Sequence, residues 1–192
     1  FEGQEIKVFP AGNVLSQTMV VESDWSSASY YYSLIALSDV GSEVSLSSYS
    51  SDSLQGDAVL CDIYSHLGVQ TTFKKDQLVL AKVAAPHDAI LENGLSWDLA
   101  NAPDIAQTIA VSCFALGVAC DLTGLHTLKI KETDRLLALE SELGKLGAGL
   151  HVTEKSLHLK AFDGSIKPHV TIGTYHDHRM AMAFAPLALR VP

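Results

Sequence analysis

Two hydrophobic periods follow one another along this chain, one helical and one alternating, and their order repeats. In a first unit, an extended Met19-Val20-Val21 leads through Ser23-Asp24 into an apolar run, Ala28 to Leu37, with helical spacing and small residues. A strand-like Glu43 to Ser47 comes next. After Gln55-Gly56-Asp57, Leu60, Ile63 and Leu67 share one face of an amphipathic stretch that Gly68 closes. Alternating segments over Val69–Phe73 and Gln77–Ala81, joined at Lys74-Lys75-Asp76, predict a hairpin.

A second unit repeats the order. Ser96 to Leu99 is extended, Pro103-Asp104 opens a helical run from Ile105 to Leu116, and Ala119–Leu122 is extended again. A second helix runs from about Asp134 to Leu146, with Leu136, Leu139, Leu143 and Leu146 on one stripe and Gly147 as its stop. Gly149–Thr153 and Ser156–Lys160 predict another hairpin. A third unit begins with Val170-Thr171-Ile172, passes Tyr175-His176-Asp177, enters a helical run from Met180 to Leu189 and stops. Each unit reads β-α-β-α-β-β over about 60 to 65 residues, a period that points to stacked or ring-like architectures, since one copy cannot bury its own apolar faces.

The expectation is an α/β domain over residues 20–192, made of three such units with the third truncated, helices inside and sheets outside. Residues 1–19, with turn formers around Pro10-Ala11-Gly12-Asn13, read as the tail of a preceding domain and the approach to a hinge. A chain that opens on Phe1 and stops inside a third unit reads as cut from a longer protein. Its unfinished unit should leave an exposed edge or apolar patch.

Composition narrows the partners. Among 192 residues, 47% hydrophobic and 18% charged, a packed core is expected. A net charge of −9 disfavours nucleic acid and anionic membrane, so an anionic ligand must find a local basic cluster. Cys61, Cys113 and Cys120 are odd in number and lie in apolar contexts, which reads as reduced, buried and cytosolic. The most apolar run, Ile109 to Cys120, is too short to span a bilayer.

Candidate chemistry sits at helix starts. Lys131-Glu132-Thr133-Asp134-Arg135 precedes the best amphipathic helix; with Thr133 as N-cap, Asp134 suits the macrodipole and Arg135 opposes it. Such a run is ordinarily a solvated stretch of charge. Asp177-His178-Arg179 repeats the misplaced arginine at the matching end of another unit, a rule broken twice as an anion site would break it. Asp104 alone reads as a cap or first-turn aspartate, and Ser23, Asp24, Ser26 and Ser27 as caps and small packing residues. His176 and His178, two apart, would point the same way from an extended segment, but no nearby residue completes a metal shell. Trp25, Trp97 and Tyr30-Tyr31-Tyr32 read as core or interface.

Ser26-Ser27-Ala28-Ser29-Tyr30, Pro103-Asp104, Lys131-Glu132-Thr133-Asp134-Arg135 and Asp177-His178-Arg179-Met180-Ala181-Met182-Ala183, in this order and phase, resemble the EPSP synthase family over essentially the whole chain. The resemblance implies a later portion of a longer, two-domain protein, each domain an inside-out barrel of three units with helix N-termini facing the interdomain cleft. It implies transfer of the carboxyvinyl group of phosphoenolpyruvate to the 5-hydroxyl of shikimate 3-phosphate, with release of phosphate and without a metal or organic cofactor. Asp104 matches the residue assigned as proton acceptor, and Glu132 the one implicated in proton transfer at the methylene carbon. Asp104 and Lys131 match contacts to shikimate 3-phosphate, Arg135 and Arg179 the arginines that hold phosphoenolpyruvate, and His178 a supporting residue. Thr127 stands where many relatives have asparagine, a departure at a shikimate 3-phosphate contact. Gln55-Gly56-Asp57 also matches, and is read as structural. The remaining site parts belong to the N-terminal domain and to a stretch near the family's C-terminus, both outside this sequence. Two alternatives stay open: the sister enolpyruvyl transferase acting on UDP-N-acetylglucosamine, and a non-catalytic module of the same fold.

Overall fold

The computed structural model describes residues 5–10, 12, 16, 18–75 and 77–191. In the first unit α1 spans Trp25–Leu37 and β1 Glu43–Ser47; a 3-10 turn over Gly56–Val59 leads into α2, Leu60–His66, followed by β2, Val69–Lys74, and β3, Gln77–Lys82. A short α3, Asp88–Asn93, links to the second unit. There β4 is Leu95–Asp98, a 3-10 turn over Pro103–Ile105 opens α4, Ala106–Ala115, and β5 is Cys120–Thr123. A further 3-10 turn, His126–Ile130, precedes α5, Arg135–Leu146, and the hairpin β6, Leu150–Val152, and β7, Leu157–Leu159. The last helix, α6, covers His178–Phe184 and tightens into a 3-10 turn over Ala185–Leu189, where Pro186 cannot continue an α-helix.

The protein is α/β, with two sheets. One is antiparallel, in the order β1-β3-β2; the other is mixed, β4-β5-β7-β6, with β4 and β5 parallel across the α4 crossover and Trp97 opposite Leu122. The predicted strands over 19–21 and 170–172 are absent. The first of these runs is exposed; just beyond it Ser23 donates its N–H to Ser48 O at 2.7 Å and its hydroxyl to Ser47 O at 3.0 Å, at the end of β1. A strand needs a ladder partner as well as propensity. Ala11 and Asn13 of the expected turn, and Asp76 of the first hairpin, lie outside the described residues.

α1 and α4 form much of the interior. α4 is buried from Ala106 to Phe114, and α1 buries Trp25, Ala28, Tyr32, Ile35 and Ala36. Both lack a polar face, as core helices do. Between them the small polar residues pair: Ser29 with Thr108 at 3.0 Å, and Ser112 with Ser33 and with the Tyr64 hydroxyl at 2.9 Å each. These bonds satisfy buried hydroxyls and fix the axial register of α1 against α4, so the two N-termini lie level. α6 packs on α4 and more lightly on α1, burying Met180, Ala183 and Phe184. α5 is amphipathic and lies over β6, ending at Gly147, whose φ of +107° suits glycine.

Beside α6 runs an open apolar groove of about 350 Å³, lined in part by Leu146, Val170, Ile172, Phe184, Leu187 and Val191. Among the described residues no helix is long and apolar enough to cross a membrane.

Candidate active site

Four helix starts meet at one end of the molecule. α1 is capped by Asp24, whose carboxylate accepts from Ser26 N–H at 2.9 Å, and α6 by Asp177, which accepts from Arg179 N–H at 2.8 Å. α5 is capped by Asp134, accepting from Leu137 N–H at 3.2 Å, rather than by the expected Thr133. The cap moves one residue because Lys131 to Thr133 form an extended turn that carries Lys131 and Glu132 toward Asp104 and Arg135. Asp104 caps nothing. It sits in the 3-10 turn before α4 with its carboxylate turned to cations instead.

Those cations are the ones singled out in the sequence. Asp104 Oδ1 lies 3.0 Å from Arg135 Nη1 and 3.3 Å from Lys131 Nζ, and its Oδ2 lies 3.5 Å from Arg179 Nη2. One carboxylate thus draws in three positive side chains. On a chain of net charge −9 these are cations that an anionic ligand could engage, each balanced here by carboxylates.

Arg135 is the hub. Its side chain is 1% exposed; Nε donates to Asp177 Oδ2 at 2.7 Å, Nη1 to Asp104, and Nη2 to Glu132. A cation in the first turn of a helix is unfavourable to the macrodipole, and here three carboxylates offset that cost. Asp177 has no exposed surface in its side chain. Burial pushes its pKa up, but Arg135 and the Arg179 N–H outweigh burial and hold it below the usual aspartate value. Glu132 is half exposed. His178 is exposed beside Asp177 at the start of α6. His176 has φ +56° and His178 is helical, so the two do not share an extended segment.

Other residues join the cluster. Asp57, set aside with Gln55-Gly56 as structural, accepts the Ser26 hydroxyl, and its pKa is raised first by burial and further by the charge on Asp104. Gly56 permits that approach: a Cβ there would stand 2.1 Å from Asn101 O, just ahead of the turn that bears Asp104. Gln55 is structural, accepting from Trp25 N–H at 2.9 Å and donating to Ser23 O at 2.9 Å. Tyr30 has its hydroxyl against Arg179; burial raises its pKa while Arg179 opposes the rise. With its side-chain amide oriented to match its neighbours, Gln107 bridges Asp104 O and Arg135 Nε, at 3.2 Å each. The Thr127 hydroxyl is buried without a hydrogen-bond partner. The signal for Asp57 was its place in the repeat: it precedes α2 as Glu132 precedes α5. Asp177 was visible as a capping aspartate, but its role as a buried counter-ion depends on tertiary pairing.

Chemically, the cluster can bind an anion through Lys131, Arg135 and Arg179 while Asp104 and Glu132 stand within reach as proton acceptor or donor. In the present arrangement the Arg135 guanidinium is committed to carboxylates. An incoming anion would have to exchange with Asp104 or Glu132.

Comparison with known proteins identifies the family. The family model described as EPSP synthase (3-phosphoshikimate 1-carboxyvinyltransferase) matches residues 2–192. The chain is 42% identical over 175 residues to a 3-phosphoshikimate 1-carboxyvinyltransferase of Bacteroides fragilis, covering 90% of this chain and 41% of the relative. With the enzyme of the same name from Histophilus somni it shares 33% over 174 residues, 90% of this chain and 38% of the relative. Among solved structures, EPSP synthase from Acinetobacter baumannii superposes with a TM-score of 0.68 at 22% identity, over 89% of this chain and 40% of that chain, a likeness of fold. The chain therefore spans about two-fifths of the length of the curated relatives it matches.

Proposed function

Because this chain belongs to the EPSP synthase family, we propose that the full-length protein transfers the carboxyvinyl group of phosphoenolpyruvate to the 5-hydroxyl of shikimate 3-phosphate, releasing phosphate. The observation that carries the reading is the convergence of Asp104, Lys131, Glu132, Arg135 and Arg179 at one end of the molecule. In this reading residues 20–192 form most of a C-terminal domain of three βαβαββ units, helices inside and sheets outside, and residues 1–19 approach the hinge from the N-terminal domain. The reading extends to a cytoplasmic enzyme without metal or organic cofactor, with the other domain of the same chain as its essential partner; the free cysteines are compatible with that compartment.

The geometry suggests how the chain's residues act. Lys131 and Asp104 would meet shikimate 3-phosphate, and Arg179 and Arg135 phosphoenolpyruvate, planar guanidinium forks suiting carboxylate and phosphate oxygens. As the substrate anions take over the cations, the Asp104 carboxylate is freed from its ion pairs and can take the proton of the attacking hydroxyl. Glu132, released from Arg135, would handle the proton at the methylene carbon. His178 flanks Asp177 and would support the arginine pair. Thr127, with its hydroxyl buried, would reach a ligand only after the 126–130 turn opens.

Ligand stabilisation of the full-length protein tests the assignment. Shikimate 3-phosphate at 100 times its Kd should stabilise the native state by about 2.7 kcal/mol, with a corresponding rise in melting temperature. Protection by UDP-N-acetylglucosamine instead would assign the sister reaction. Protection by neither would leave a non-catalytic module of the fold.

A further inference from the structure

α5 carries a buried acid that the cluster does not use. Glu142 lies seven residues after Arg135 on the same face of the helix, about 10 Å further along its axis. It is fully buried among leucines, yet its carboxylate is well supplied with donors: Lys145 Nζ at 2.6 and 2.7 Å, Gly173 N–H at 2.8 Å and the Tyr175 hydroxyl at 2.7 Å. Burial pushes its pKa up, but these donors outweigh burial and hold it below the ordinary glutamate value, so it stays ionised.

The segment it grips is the one that delivers Asp177 and Arg179. Gly173 and Tyr175 are tied to Glu142, while Asp177 is tied to Arg135 two turns earlier on the same helix. Between these ties the chain makes a tight turn, Asp177 N–H donating to Thr174 O at 2.9 Å. Tyr175 and His176 both take φ +56° there. Two consecutive non-glycine residues in the left-handed region are unfavourable, and such a turn persists only where its surroundings over-determine it.

We propose that Glu142 is a positioning residue: by anchoring Gly173 and Tyr175 it maintains the strained turn that sets Asp177 against Arg135 and Arg179 against Asp104. The inference rests on the reading of Arg179 as a phosphoenolpyruvate-binding residue. Glu142→Gln keeps the side-chain volume but replaces an acceptor oxygen with a donor, and Tyr175→Phe removes a single hydroxyl with little risk to folding.

Titration calorimetry on full-length protein, first with shikimate 3-phosphate alone and then with phosphoenolpyruvate in its saturating presence, reads the effect on each ligand. Glu142→Gln should weaken phosphoenolpyruvate binding about tenfold and Tyr175→Phe about threefold, as small misplacements of a binding group do, with shikimate 3-phosphate affinity held within about twofold. Equal weakening of both ligands would mean a merely structural residue and overturn the proposal. So would unchanged phosphoenolpyruvate affinity in Tyr175→Phe, should Glu142→Gln not fold. Arg179→Lys, measured alongside, separates the two layers. If it weakens phosphoenolpyruvate while both clamp variants leave it unchanged, the clamp is refuted. If it changes nothing, the underlying assignment of Arg179 falls.

Discussion

Replacing Arg135 by methionine removes the guanidinium while keeping an unbranched apolar stem, and the three carboxylates that it holds lose unequal amounts. Glu132 is half exposed, so its share is at most about 1 kcal/mol. Asp104 is 25% exposed and keeps Lys131 and Arg179 as partners. Asp177, with no exposed side-chain surface, keeps chiefly the Arg179 N–H it caps. Leaving one member of a buried pair uncompensated costs about 3–5 kcal/mol, so Asp177 dominates the expected loss. The sign with pH follows. In the native protein the Asp177 pKa is depressed, so its contribution is present above the unfolded value and lost as pH falls through the folded one. In Arg135→Met, burial is opposed chiefly by the Arg179 N–H, so the folded pKa rises from its depressed native position. The penalty is then largest at neutral pH and shrinks as pH falls through the raised pKa. Arg135→Met/Asp177→Asn removes the stranded charge and should recover at least about 2 kcal/mol of the single-variant loss. Urea unfolding followed by tryptophan emission at pH 7 and pH 5 measures all three variants. A loss below about 1 kcal/mol in Arg135→Met, or strict additivity in the double variant, would refute the hub role.

Three further outcomes are expected. Asp104→Ala in the full-length protein should lower turnover by about 10²–10⁴-fold with smaller changes in substrate affinity, as loss of a positioned base does, and steady-state rates within a few-fold of the parent would remove Asp104 from that role. Gly56→Ala should destabilise the fold and displace Asp57, because its Cβ would collide with Asn101 O; an unchanged melting temperature would contradict the close approach. Lys82 is buried with Nζ on Leu67 O at 2.8 Å, and burial, aided by Arg190, lowers its pKa to about 8 from 10.5. The unfolded chain therefore binds this proton more tightly, and stability should rise as pH climbs from about 8 to 10.5. Lys82→Met should flatten that rise and stabilise the protein at pH 7 by roughly 1–3 kcal/mol; an identical pH dependence in both proteins would show that Lys82 is not its source.

Strong periodicity made much of the fold legible. β1 occupies the predicted Glu43–Ser47, and the leucine stripe of α5 ends at Gly147 as read, because each pattern is local and its burial is decided by one face. The segments at 19–21 and 170–172 have strand-like composition but no neighbouring strand to complete a ladder among the described residues, and pairing is not a local property. The two misplaced arginines led to the site because a broken rule is visible in sequence. What they pair with is not. Asp177 and Glu142 look like a capping aspartate and an ordinary helical glutamate until the fold buries them, and Asp57 looks like part of a turn until Gly56 brings it toward Asp104. Even the cap of α5 turned on a tertiary matter: Thr133 and Asp134 are both good caps, and the contacts of Lys131 and Glu132 with Asp104 and Arg135 decided between them.

On the proposed function, this chain supplies one wall of a carboxyvinyl-transfer site whose other wall lies in the rest of the protein. Phosphate release from phosphoenolpyruvate plus shikimate 3-phosphate, measured side by side for the full-length protein and the 192-residue chain, tests it most directly. Sustained release is expected from the full-length protein only when both substrates are present, and none from the 192-residue chain, because two anionic substrates cannot be held in contact and screened from water by one wall. Comparable turnover by the short chain, or no turnover by the full-length protein, would contradict it.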